Sequence, residues 1–296
     1  GKAIGEFVYY DFKKENKTEN ILVLGGSSSS GFNTHYANGT TWPELLNLRC
    51  QKEKNCRVIN GGVSSYNSSH EMLKLSTNVS NFIDKIDIVI SLNGINETNF
   101  IKDFPFLTAE QIYMFEKERW LIRGITNKYS LLLPNIQSFI RLITKKRQSD
   151  IIKFEKNYDI SRKLKNLHFP DSNIKSSVDR WEHNIKLMNA ISKTTGSKYI
   201  IFLQPTTGLN HLKQSEKELE SIKDYSKIYL NNVNSFYSEA IERCKKIDFC
   251  YDLTDIFSNI RKNNNLYKNK HFYYDGRHYN TDGINILSDE IYRRLY

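Results

Sequence analysis

Strand-like apolar runs alternate with helical patterns along most of this 296-residue chain, and that alternation leaves few architectures open. The apolar runs are Ile21–Leu24, Arg57–Asn60, Ile86–Leu92, Tyr199–Gln204 and Phe249–Leu253. Their continuous rather than alternating apolar character is that of strands covered on both faces, as in a parallel sheet. Apolar residues recur at helical spacing over Trp42–Leu48, His70–Phe82, Val178–Ser192, Tyr229–Lys245 and Asp282–Leu295. Parallel strands need a crossover, usually a helix, so the pattern predicts an α/β fold with a central parallel sheet of about five strands. Tyr9–Asn20 reads as a polar lead-in.

The third and fourth strand runs stand roughly a hundred residues apart, many more than a crossover requires. Within that span Ala109–Arg123 and Tyr129–Lys146 have helical patterns, with Pro134 opening or kinking the second. Residues 100–177 are therefore expected to form a helical insert or cap on a single domain spanning 1–296. The apolar face over 129–147 ends in Lys145-Lys146-Arg147. It suits either contact with a membrane surface or packing back onto the domain's own core. No apolar run approaches the ~18 residues of a membrane span. The chain opens Gly1-Lys2 without methionine, which leaves room for a leader or anchor that has been removed.

Lysine and arginine total 43 against 33 acidic residues, a formal charge of +10. Such a balance attracts anions, whether nucleic acid, acidic lipid or acidic polysaccharide. The basic residues are scattered, and neither zinc-finger spacing nor the aromatic signature of an RNA-binding sheet is present, so no nucleic-acid partner is expected. Hydrophobic residues make up 39%, enough for a sizeable core and too many for a disordered chain.

The four cysteines form two matching pairs, Cys50-x5-Cys56 and Cys244-x5-Cys250. Each pair joins the end of a predicted helix to the start of a predicted strand. The spacing is poor for zinc, which favours tighter pairs or added histidines, and no metal is expected. Two local disulfides and an oxidising, extracytoplasmic compartment are the sharper reading; four separate thiols in a reducing cytoplasm are the alternative.

The first strand runs into Gly25-Gly26-Ser27-Ser28-Ser29-Ser30-Gly31. A glycine-rich turn at the carboxyl end of a parallel strand lies where open α/β sheets bind ligands. Both nucleotide motifs fail here, because neither G-x-x-x-x-G-K-[ST] nor G-x-G-x-x-G is present. A nucleophilic Ser27 at the amino end of the next helix is the better candidate. Its partners lie in Asp275-Gly276-Arg277-His278, ahead of the last helix. In a turn, Asp275 can orient the imidazole while His278 faces a nucleophile. Asn60 to Ser65 follow the second strand and Gly94-Ile95-Asn96-Glu97 the third, on the same rim as Ser27. A backbone N–H of the first and the Asn96 amide can receive an oxyanion.

These four segments, in this order, resemble the SGNH (GDSL-type) hydrolase family. Gly25-Gly26-Ser27 matches the first block, with Gly26 where many members carry Asp, and Asn60 to Ser65 matches the second. Gly94-Ile95-Asn96-Glu97 is similar to G-x-N-D, with Glu for the last Asp, and Asp275 to His278 matches D-x-x-H. Trp42-Pro43-Glu44-Leu45-Leu46 is also familiar after the first block. Ser65 stands where many members place the oxyanion glycine, so that loop departs from the pattern. The resemblance covers roughly 20–100 and 178–296 and excludes the insert.

It implies a flavodoxin-like three-layer α/β/α sandwich and acyl transfer through a covalent serine ester. Ser27, Asp275 and His278 would be catalytic; Ser27, Gly62, Ser65 and Asn96 would supply the oxyanion donors; no cofactor is required. For a basic, exported member it suggests removal of O-acetyl or similar groups from a cell-surface carbohydrate, an acidic one fitting the charge. An O-acetyltransferase uses the same serine intermediate, and a non-catalytic glycan- or partner-binding protein on a hydrolase fold is the reading from another class. Oligomeric state is not legible.

Overall fold

The computed structural model describes residues 2–4, 7–9, 18–31, 40–82, 86–100 and 174–296. The chain divides into two compact units, Gly1–Asp103 with Asn173–Tyr296, and Phe104–Ser172. The second unit, with the helical patterns expected at 109–146, lies outside the described residues.

In the first unit seven strands form one sheet: β1 (Lys2–Ile4), β2 (Phe7–Tyr9), β3 (Glu19–Gly25), β4 (Cys56–Asn60), β5 (Ile88–Asn93), β6 (Lys198–Leu203) and β7 (Cys250–Asp252). Their spatial order is β1-β2-β4-β3-β5-β6-β7. The five strands β4-β3-β5-β6-β7 are parallel throughout, in the flavodoxin-like order expected. The hairpin β1–β2 adds antiparallel to β4, with Val8 opposite Asn60, and was not legible in the apolar pattern.

The helices are α1 (Ser27–Ser30), α2 (Trp42–Glu53), α3 (Ser68–Phe82), α4 (Ile174–Thr194), α5 (Glu216–Ser221), α6 (Lys227–Cys244), α7 (Ile256–Asn263) and α8 (Thr281–Leu295). They cover both sheet faces. Leu22, Leu24, Val89, Tyr199 and Ile201 point to one face, where Val178, Trp181, Phe236 and Tyr237 close the core. Ile21, Val23, Ile88, Ile90 and Phe202 point to the other, against Trp42, Leu46, Phe257 and Leu287. Successive strand residues alternate faces, so a strand buried on both sides must be apolar throughout.

Local chemistry fixes the helix starts. Thr41 caps α2, its hydroxyl accepting from the Glu44 N–H at 3.2 Å, with Pro43 in the first turn. Asn280 caps α8 by accepting from the Gly283 N–H at 3.0 Å. Both cysteine pairs are disulfides, Cys50–Cys56 tying α2 to β4 and Cys244–Cys250 tying α6 to β7. Among the described residues no helix is long and apolar enough to cross a membrane.

Candidate active site

Ser27 opens α1 directly after β3, at the carboxyl rim of the sheet. The turn depends on glycine: Gly25 has φ +151°, and a Cβ there would run into the Ser29 side chain. A Cβ on Gly26 would strike the Asn96 amide nitrogen, so the residue before the serine is glycine because Asn96 occupies its side-chain space.

The other groups arrive from the far end of the chain. His278 Nε2 lies 2.8 Å from Ser27 Oγ. His278 Nδ1 lies 2.7 Å from Asp275 Oδ2. Asp275 Oδ1 accepts the backbone N–H groups of Arg277 and His278, each at 2.7 Å, so one carboxylate fixes both the loop and the ring. The loop is closed at its base by the Asn280 N–H donating to Phe272 O at 3.0 Å, and higher up by the Tyr274 N–H donating to His278 O at 3.1 Å. Burial acts to raise the Asp275 pKa, but hydrogen bonds and charge from His278 and the two backbone donors outweigh it and hold the carboxyl below its usual range. Asp275 is thus an anion, suited to stabilise an imidazolium. The arrangement can take a proton from Ser27 and return it to a departing group.

The oxyanion candidates occupy different settings. Asn96, in a 3-10 turn (Ile95–Phe100) after β5, donates through Nδ2 to Tyr66 O at 2.7 Å, which aims the amide toward Gly26. The Gly62 N–H is engaged by Asn60 Oδ1 at 2.9 Å, and a Cβ there would come within 2.7 Å of the Ser30 nitrogen. Gly62 therefore lets the second loop close on α1. Ser65 is exposed and has φ +70°, the left-handed conformation that favours glycine. Its N–H meets no acceptor among the described residues. The departure from the family pattern at Ser65 leaves the backbone in the conformation a glycine would adopt.

No protein-family model matches the chain, and no curated protein matches it by sequence. Solved structures do. A GDSL-like lipase, so designated, of Parabacteroides merdae ATCC 43184 superposes with TM-score 0.51 at 11% identity, covering 94% of this chain and 95% of that one. The chain has the fold of the SGNH (GDSL-type) hydrolases. A lipolytic protein assigned to the G-D-S-L family of Desulfitobacterium hafniense DCB-2 matches at TM-score 0.45 and 12% identity, over 94% of this chain and 100% of that one. An acetylxylan esterase of Geobacillus stearothermophilus matches at TM-score 0.45 and 14% identity, over 94% of each.

Two residues that support the site on this GDSL-type fold were not legible as such. Glu97, buried directly after Asn96, accepts the Ser68 N–H at 2.5 Å and so ties the Asn96 turn to the start of α3. Glu71, also buried, lies in the first turn of α3 and receives the Asn93 amide at 3.3 Å. Among the described residues no cluster suited to a metal ion is found.

Proposed function

We propose that this chain is a serine esterase that works through an acyl-enzyme and removes acyl groups, O-acetyl foremost, from a carbohydrate. The observation that carries this reading is the continuous Ser27–His278–Asp275 hydrogen-bonded array at 2.8 and 2.7 Å. His278 takes the Ser27 proton as Oγ attacks the ester carbonyl, and Asp275 stabilises the imidazolium. The oxyanion is received by the N–H groups of Ser27 and Ser65 and by Asn96 Nδ2. Of the two second-loop candidates we choose Ser65, because the Gly62 N–H already has an acceptor. As the tetrahedral intermediate collapses and the ester C–O bond breaks, His278 protonates the departing sugar oxygen, and water then attacks the acyl-serine along the reverse path.

The two disulfides favour an extracytoplasmic compartment, which suits a substrate among surface glycans.

Fluorophosphonate treatment with peptide mapping tests the nucleophile. Label is expected at Ser27 and absent from Ser27→Ala; absence of label on the folded native protein would sink the proposal. Asn96→Ala is expected to fold normally and lose about 10²–10³ in kcat on an aryl acetate. Weighing products with an acceptor glycan present separates hydrolysis from transfer.

A further inference from the structure

The loop that carries His278 also carries a cation for which ester hydrolysis has no use. The Arg277 guanidinium lies over the Tyr229 ring at 4.8 Å and the Tyr225 ring at 5.7 Å. Its Nε is sealed from solvent and meets no hydrogen-bond partner. No carboxylate pairs with it among the described residues. Asp275, two positions away, is fully committed to the His278 ring and to backbone donors. Tyr229 lies beside both Arg277 and Thr98, and Thr98 is anchored to Ile95 O at 2.7 Å in the turn that presents Asn96. Arg277, Tyr229 and Thr98 therefore connect the His278 loop to the Asn96 turn, on the rim where Ser27 stands.

A guanidinium stays charged when half-buried, and its planar fork matches a carboxylate in two parallel hydrogen bonds. Aromatic faces hold such a cation in place while leaving its remaining donors unsatisfied. Desolvating a charge is costly unless an opposite charge offsets it, and among the described residues none does so at Arg277. An anionic ligand would.

We propose that Arg277 forms an anion subsite beside Ser27 that takes the carboxylate of an acidic sugar, making uronate-containing glycans the substrate class. This rests on the esterase reading, and the test separates the two.

The probes are short oligogalacturonates and their primary amides, which keep the planar carbonyl, remove the charge and offer no ester to cleave, used as inhibitors of 4-nitrophenyl acetate turnover. The readout is the ratio of the two inhibition constants, so a general change in turnover cancels. The native protein is expected to prefer the acid by about tenfold, one carboxylate–guanidinium contact's worth. Arg277→Gln is expected to bring the ratio close to one, and Arg277→Lys to recover part of it. Lys246→Gln is the control for diffuse charge. Lys246 lines a groove of about 440 Å³ with Lys186, Lys193 and Lys198, at the end of β6 away from Ser27, and its replacement should leave the ratio unchanged. A native ratio near one, a ratio that survives Arg277→Gln, or an equal loss in Lys246→Gln would each overturn the anion subsite. If no Ser27-dependent turnover is found, the esterase reading fails. The same ratio is then measured as dissociation constants by calorimetry, where loss in Arg277→Gln supports the subsite and no loss rejects it.

Discussion

Glu218 and the pair Glu71 and Glu97 are equally hidden from solvent, yet the protein treats them in opposite ways. Glu218, in α5, pairs with the buried Arg261 of α7 and also accepts the Phe272 N–H at 2.8 Å and the Ser215 N–H at 3.0 Å. Arg261 in turn donates to Lys270 O at 2.9 Å and Lys213 O at 3.0 Å. Every charge there meets an opposite charge or a dipole, and the network holds Phe272 at the root of the His278 loop. Glu71 and Glu97 are held chiefly by neutral donors. Burial pushes the Glu71 carboxyl up to about 8, with Glu97 adding to the rise and Ser91, Asn93 and Lys74 opposing it. Burial raises Glu97 as well, against the Ser68 N–H and Arg180. One half of the site is thus anchored by an ion pair and the other by carboxyls that burial pushes above their usual range. The contrast teaches that burial alone does not set a carboxylate's charge; its partners do.

The largest expected effect comes from breaking the ion pair. Arg261→Met leaves the buried Glu218 carboxyl without its cation, and should cost about 3–5 kcal/mol in urea unfolding. Adding Glu218→Met should recover much of that loss, and a double variant no more stable than the single one would contradict the pairing. The second effect is a pH dependence. Glu71 holds its proton in the folded state up to about 8, whereas its ordinary value is 4.5. Its contribution to stability is therefore complete below about 4.5 and lost as pH rises through 8, on the order of 1 kcal/mol per unit between. Glu71→Gln should flatten that slope when unfolding is followed from pH 5 to 8; an unchanged slope would place the titration elsewhere. The smallest effect is at Glu97. Glu97→Ala leaves the Ser68 N–H unpaired and should cost about 1–3 kcal/mol, with a fall in kcat as Asn96 loses its tether. Glu97→Gln keeps an acceptor and should restore most of both.

The five parallel strands and the helices that link them were legible because burial on both faces demands unbroken apolar runs. Ile21–Leu24 became Glu19–Gly25, and Phe249–Leu253 became Cys250–Asp252. The short strands at Lys2–Ile4 and Phe7–Tyr9 escaped notice because three residues carry too little pattern. Helices α5 and α7 did so because one or two turns hold few core positions. Ser27, Asp275, His278 and Asn96 stood in local motifs, Ser27 and Asn96 after strand ends and Asp275 and His278 ahead of the last helix. Glu218 with Arg261, 43 positions apart, and Glu71 with Asn93 carry no local signature, since only the folded chain brings them together. The division of labour between Gly62 and Ser65 was equally hidden, because it depends on backbone angles.

Ser27 and His278 are separated by 251 positions, whereas each disulfide closes a loop of only six. A polypeptide is made from its amino end, so the serine emerges long before the imidazole that would activate it. The staples can lock as each segment appears, but the proposed esterase site waits for the loop of Asp275 and His278. A chain halted anywhere before His278 would carry a folded-in serine with no base. The proposed chemistry thus depends on the long-range fold that closes this span, and not on the local staples.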